Sequence, residues 1–164
     1  MNTDKLQNWG TMKYGLYLET SIGRLYLEQE GEFLVSLGKA ENSEEGVLQE
    51  TLLLRRAAEE ITEFLEGSRR SFDIPIHMKG TDFQKKVWQA LLEIPYGETR
   101  SYGEIAARIG CPKGARAVGQ ACNRNPIMII VPCHRVIGGN GRLVGFGGGL
   151  DIKEKLLALE QLGK

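Results

Sequence analysis

The spacing of apolar residues changes partway along the chain, and the change predicts which elements form where. After a polar, loosely held start at residues 1–10, apolar positions alternate at Met12, Tyr14, Leu16 and Leu18, then Leu25 and Leu27, then Phe33, Val35 and Leu37. Gly23 and the turn Glu30-Gly31-Glu32 separate these runs, so the pattern predicts a small antiparallel meander. From Glu45 the period lengthens: Leu54, Ala58, Ile61 and Leu65 fall at helical spacing, with Gly67 as the stop. Residues 68–80, which mix charges with Pro75, read as a connection between two halves.

Beyond that connection the pattern is mostly helical. Thr81 with Gln84 three residues on is a capping-box signature, followed by Phe83, Val87, Leu91 and Ile94 on one stripe. Pro95 ends that helix. Ser101 with Glu104 repeats the signature, and Ile105 and Ile109 carry a short helix to Gly110. A further helix is expected over residues 113–124, until Asn125-Pro126 breaks it. The apolar run 128–131 then predicts a buried strand ending at Pro132, followed by a glycine-rich stretch over 138–149. A last helix is expected to start near Asp151, capped by Glu154, and to run to Leu162. The expected fold is α+β: an N-terminal support domain over 1–78 with a small sheet and one helix, and a mostly helical C-terminal domain over 79–164.

Composition narrows the chemistry. The 164 residues carry 21 basic and 21 acidic side chains, so the chain is no electrostatic sponge for nucleic acid, although a local basic face remains open. No apolar run approaches a membrane span, and the N-terminus lacks a charged-then-apolar leader pattern. Cys111, Cys122 and Cys133 are an odd number, so a disulfide framework is not expected. No cysteine pair has metal-site spacing and His77 stands alone, so no metal or cofactor is predicted. The expected setting is the cytosol, or the nucleus in a eukaryote.

Two features could carry function. Two short helices joined across "GCPKG" (110–114) fit a helix-turn-helix. Ala115, Val118 and Cys122 form the inward stripe of the second helix. Lys113, Arg116, Gln120 and Arg124 face elsewhere, as a polar, partly basic surface suited to phosphates and base edges. An ordinary helical hairpin with a solvated face fits the same spacing. The second feature is "PCHR" (132–135), where a cysteine and a histidine meet at the end of the apolar run. A free thiol near pKa ~8.5 needs a base to become a nucleophile, and the imidazolium then needs a carboxylate. On the last helix Glu160 falls inside the apolar arc of Ile152, Leu156, Leu157 and Leu159, where an unpaired carboxylate would be costly. Adjacent residues of a strand point to opposite faces, so Cys133 and His134 need a bend or a bridging water to cooperate. The residues alone leave a core thiol and a reactive thiol equally open.

Several motifs in order resemble one family. "PCHRV" (132–136), preceded by "NP" and an apolar run and followed by a glycine-rich loop and "GGL", resembles the O6-alkylguanine-DNA alkyltransferases, as do "SYGEIAARIG" (101–110) and "KGARAVGQA" (113–121). The likeness is close over residues 81–160, and the N-terminal half fits in length and element order. The resemblance implies a ribonuclease-H-like N-terminal domain and a monomer acting on double-stranded DNA that carries O6-alkylguanine. It implies a single, irreversible transfer of the alkyl group to Cys133 from a guanine flipped out of the stack, with O4-alkylthymine as a further substrate. Carried over by position, His134 is the base acting through a water, Glu160 holds it, and Asn125 braces the neighbouring turn. Tyr102 donates a proton or hydrogen bond to the guanine ring. The carbonyls of Cys133 and Val136 read its amino group. Phe146 and Gly147 line the base pocket, where many relatives have tyrosine and serine. Arg116 fills the gap left by the flipped nucleotide, while Lys113, Ala115, Gln120 and Arg124 face the DNA. Three alternatives stay open: a cysteine hydrolase using Cys133, His134 and Glu160, which would turn over repeatedly, a non-enzymatic lesion-binding protein, and a plain DNA-binding regulator that would not need Cys133.

Overall fold

A computed structural model of the chain describes residues 12–141 and 149–163. The three alternating runs form β1 (Lys13–Thr20), β2 (Gly23–Glu30) and β3 (Phe33–Lys39), antiparallel neighbours with Leu16 opposite Leu27 and Leu27 opposite Leu37. A short strand, β4 (Val47–Leu48), pairs parallel with β1, so the sheet order is β3-β2-β1-β4. Nothing in the alternation announces β4, because two residues carry no period. Gly15 is required by packing: the Tyr26 phenol lies where a Cβ would sit, and its oxygen accepts the Gly46 N–H at 2.8 Å.

The helix expected from Glu45 begins later. A 3-10 turn (Ala40–Asn42) and β4 intervene, and α1 (Leu52–Leu65) starts where the Thr51 hydroxyl accepts the Leu54 N–H. Its buried face is Leu54, Ala57, Ile61 and Phe64, one position off the stripe expected from Ala58 and Leu65, which are half-buried. That face covers Leu25, Leu27, Leu34 and Leu37 of the sheet and forms one continuous core with the second half.

Both capping boxes form: Thr81 with Gln84 opens α2 (Asp82–Leu92), and Ser101 with Glu104 opens α3 (Tyr102–Arg108). After α3 the chain turns at Gly110, whose φ of 82° suits glycine, and enters α4 (Ala115–Asn123). The Trp88 indole N–H donates to the Ala121 carbonyl at 2.9 Å, locking α4 against α2. Strands β5 (Arg100–Ser101) and β6 (Val136–Ile137) pair in parallel, and α5 (Leu150–Leu162) closes the chain. The expected Glu154 cap on α5 is not formed: Gly149 is the N-cap, with no side-chain bond.

The free edge of β3 joins the halves. Leu34 donates its N–H to the Pro75 carbonyl and accepts from His77, while Leu37 donates to Pro126 at 2.8 Å and accepts from Met128 at 3.0 Å. The connection and the segment leading to Cys133 are therefore docked side by side on one strand.

Candidate active site

The apolar run before Cys133 is buried as expected, but it is not a strand. Only Ile127 bridges the sheet, and residues 128–130 turn. Ile130 N–H donates to the Met128 carbonyl at 2.9 Å across Ile129, whose φ is 74°, which is a γ-turn of the strained hand. Val131 N–H reaches the Ile127 carbonyl at 3.0 Å, and Cys133 N–H reaches Val131 at 2.8 Å across Pro132 (φ −82°, ψ 63°), a second γ-turn of the relaxed hand. A continuous apolar run signals burial, and periodicity alone cannot distinguish a strand from a compact string of turns. Asn125 organises this string. Its Oδ1 accepts from Ile127 N–H at 3.0 Å, and its Nδ2 donates to the Val131 carbonyl at 2.8 Å and to Cys133 Sγ at 3.2 Å.

Cys133, His134 and Arg135 form a 3-10 turn and are all buried. Successive side chains in such a turn diverge by about 120°, so the thiol and the imidazole leave in different directions. His134 Nε2 lies 2.5 Å from Glu160 Oε2, and its ring meets Phe64 of α1 edge-on at 6.5 Å. Arg135 Nε donates to both Glu160 oxygens at 2.8 and 3.1 Å, its Nη1 donates to the Ile94 carbonyl at 2.7 Å, and the Gly97 N–H adds a further bond to Glu160 Oε1 at 2.9 Å. Burial alone would push the Glu160 carboxyl up, but the bonds from His134 and Arg135 outweigh it and hold it at about 2. The carboxylate is thus ionised and accepts a hydrogen bond from the Nε2–H of a neutral imidazole. That leaves the lone pair on Nδ1, a buried atom with no hydrogen-bond partner among the described residues. Burial outweighs Glu160 at the imidazole itself and lowers its pKa from the ordinary 6.5.

The thiol is equally desolvated. Burial raises the Cys133 pKa to about 11, against the Asn125 bond and the charge of Lys153. Lys153 is the residue that sequence reasoning missed. It is fully buried on α5, donates to the Val136 carbonyl at 2.5 Å and stands 3.5 Å from the Tyr102 hydroxyl. Burial lowers its own pKa, and burial raises that of Tyr102 to about 12. The signal was present: Lys153 and Glu160 are seven residues apart, two helical turns, and so share the face that carries Ile152 and Leu156. Leu157 and Leu159, expected on that face, are only half-buried.

Tyr102, Asn125, Cys133, His134, Val136 and Glu160 therefore share one region, in which Tyr102 opens α3 and Val136 begins β6. On the second short helix Val118, Ala121 and Cys122 are the buried positions and Ala115 is half-buried, while Lys113, Arg116, Gln120 and Arg124 are exposed. Phe146 and Gly147 lie outside the described residues. A cavity of about 270 Å³ opens beside Cys133, between the Asn125–Met128 turn and the end of β3.

Residues 82–162 match a family model described as the DNA-binding domain of 6-O-methylguanine DNA methyltransferase. The chain is 51% identical over 155 residues to a methylated-DNA–protein-cysteine methyltransferase of Methanosarcina acetivorans, covering 91% of this chain and 98% of the relative. It is 49% identical over 148 residues to that of Mycobacterium leprae, covering 88% and 90%. The solved O6-methylguanine methyltransferase of Mycobacterium tuberculosis superposes with a TM-score of 0.87 at 44% identity over 93% of this chain and 95% of that one. A Mycobacterium tuberculosis OGT in complex with DNA gives 0.85 at 45%, covering 93% and 94%.

Proposed function

We propose that this chain, which belongs to the methylated-DNA–protein-cysteine methyltransferase family, repairs DNA by moving the alkyl group of O6-alkylguanine onto Cys133, once per molecule. The observation that carries the assignment of roles is the Nδ1 lone pair of His134, buried without a partner among the described residues, one residue from the thiol. Through a water it takes the Cys133 proton. The sulfur then attacks the alkyl carbon, the bond from that carbon to O6 breaks, and its electron pair leaves with the base. Tyr102 supplies a proton or hydrogen bond to the guanine ring, so the leaving group departs neutral. Glu160 keeps the imidazole in the tautomer this requires and stabilises the imidazolium that forms. Displacement at an alkyl carbon needs a soft nucleophile and a good leaving group, so no oxyanion hole is called for.

The short helical pair α3–α4 is read as a helix-turn-helix that lies in the minor groove, where base readout is poor and a scanner can ignore sequence. Lys113, Ala115, Gln120 and Arg124 face the backbone. Arg116 enters the stack when the guanine flips, a step costing a few kcal/mol and less at a damaged pair. The base is read by the carbonyls of Cys133 and Val136 and packed by Phe146 and Gly147. O4-alkylthymine fits the same chemistry. Residues 1–78 act as a ribonuclease-H-like support and 79–164 carry the reaction, in a monomer of the cytosol or nucleus.

Intact-mass measurement after incubation with a duplex carrying O6-methylguanine tests the reading. One added methylene on Cys133, with none on Cys133→Ser, is expected. Multiple turnover, or loss of the lesion with an unmodified Cys133, overturns it.

A further inference from the structure

We propose that Phe64, in the last turn of α1, is a positioning residue for the transfer: its ring holds the His134 imidazole against Glu160 and shields it from bulk solvent, so the N-terminal half supplies a side chain to the reaction. The inference rests on His134 acting as the base. Among the described residues the imidazole has one polar anchor, Nε2 on Glu160 Oε2 at 2.5 Å, because Nδ1 has no partner. One hydrogen bond fixes a point and leaves the ring free to swing about it. The direction of the Nδ1 lone pair therefore has to be set by packing. The Phe64 ring meets the imidazole edge-on, with centroids 6.5 Å apart and planes at 67°, within the range of a favourable aromatic pair. Both side chains are fully buried.

Phe64 is itself held by two other rings. Phe72 of the connection lies 5.3 Å away and Tyr96 lies 5.9 Å away, the latter edge-on. The Tyr96 ring in turn lies under the Arg135 guanidinium at 5.7 Å, and Arg135 Nε bonds to Glu160. His134, Glu160, Arg135, Tyr96 and Phe64 thus form a closed circuit, in which Phe64 is the member from the N-terminal half. The Tyr96 hydroxyl is buried with no hydrogen-bond partner among the described residues, so its ring is what serves the circuit. The charges that act on the imidazole come from other elements. Glu160 favours its protonation, while Arg135 and Lys153 oppose it. The buried acid of α1, Glu60, is paired with Arg56 and Arg69. The Cys133 thiol and the Tyr96 phenol, both pushed up by burial, are neutral neighbours. Burial is the largest influence on the imidazole and lowers its pKa, and Phe64 is part of what buries it. A smaller side chain at this position would let the imidazole tilt and let water reach it, so transfer would slow and protonation would become easier.

Phe64→Leu keeps an apolar side chain and removes the edge-on contact. Phe64→Met fills the volume without a ring, should behave alike, and serves where the leucine variant does not fold. Phe72→Leu is the control, since Phe72 packs on Phe64 but makes no ring contact with His134 among the described residues. Two measurements are made on each: single-turnover rates on an O6-methylguanine duplex at pH 8 and pH 6.5, and histidine titration by NMR, where His77 is the only other histidine and gives the reference signal. Without the Phe64 ring we expect transfer about tenfold slower at pH 8, the worth of one edge-on contact. The imidazole pKa should also move up towards 6.5, so that the rate at pH 6.5 is about half that at pH 8. Phe72→Leu should lose stability to urea and keep the parent's rate ratio and titration. A Phe64 variant that transfers at the parent rate, or whose His134 titrates as in the parent, overturns the proposal, as does a Phe72→Leu variant that changes both as much. A parent that fails to transfer the methyl group would instead overturn the function itself, while the titration would still report on the contact.

Discussion

Replacing Glu160 by Gln removes one charge from a buried cluster and leaves its shape nearly intact. Glu160 accepts from His134, twice from Arg135, and from the Gly97 N–H, and it is 1% exposed. Holding its carboxyl at about 2 instead of the ordinary 4.5 stabilises the fold by roughly 3 kcal/mol at neutral pH, at about 1.4 kcal/mol per pH unit. An independent expectation agrees, because stranding the partner of a buried ion pair, here Arg135, costs about 3–5 kcal/mol. The sign of the pH effect follows from the depressed pKa. The contribution is complete above pH 4.5 and is lost as pH falls towards 2, so Glu160→Gln should show a flatter acid limb than the parent. Urea unfolding at neutral pH and through the acid range measures both. The double variant Arg135→Met with Glu160→Gln removes both charges and should return to within about 1 kcal/mol of the parent, yet transfer should remain about a hundredfold slow because the imidazole has lost its carboxylate. Loss of less than about 1 kcal/mol in the single variant, or a double variant that transfers at the parent rate, would refute the reasoning.

Three further outcomes follow from the site. The transfer rate should stay level from pH 8 to pH 6.5, because burial keeps His134 neutral below its ordinary 6.5; a rate already halved at 6.5 would show an unperturbed imidazole. Asn125→Ala leaves the Ile127 N–H unpartnered, takes one of two bonds from the Val131 carbonyl, which keeps the Cys133 N–H, and removes the donor to Cys133 Sγ, so it should lower stability by about 2 kcal/mol and slow transfer, read by thermal unfolding and single-turnover kinetics. Lys153→Met removes a charge that favours the thiolate, so iodoacetamide labelling of Cys133 at about pH 9 should slow; labelling at the parent rate would mean that Lys153 acts only through Val136.

The sequence exposed the parts of this molecule that local rules encode. The meander was legible because one sheet face is dry, and α2 and α3 because Thr81-Gln84 and Ser101-Glu104 write their own caps. Lys153 escaped notice because a lysine in an apolar arc is usually assigned to solvent; the Val136 carbonyl and the Tyr102 hydroxyl, brought close by β6 and α3, are among the groups that receive it in the core. The docking of the segment before Cys133 on the β3 edge was invisible for a related reason: it pairs Leu37 with Ile127, ninety positions apart.

The run before Cys133 is the instructive miss, because the failed strand answers the question that its own adjacency raised. In a strand, Cys133 and His134 would face opposite sides of a sheet and one of them would be idle. The backbone instead contracts through two γ-turns into a 3-10 turn, at the expense of an isoleucine at φ 74°, a conformation costing on the order of 1–3 kcal/mol for a β-branched residue. No local preference of Ile129 favours it. Burial of Ile127, Ile129 and Val131 against the core, together with the three Asn125 bonds, over-determines the turn. What the strain secures is divergence with proximity. His134 is free to lean on Glu160 beneath Phe64, while Cys133, the residue before it, is free to face the cavity under Asn125.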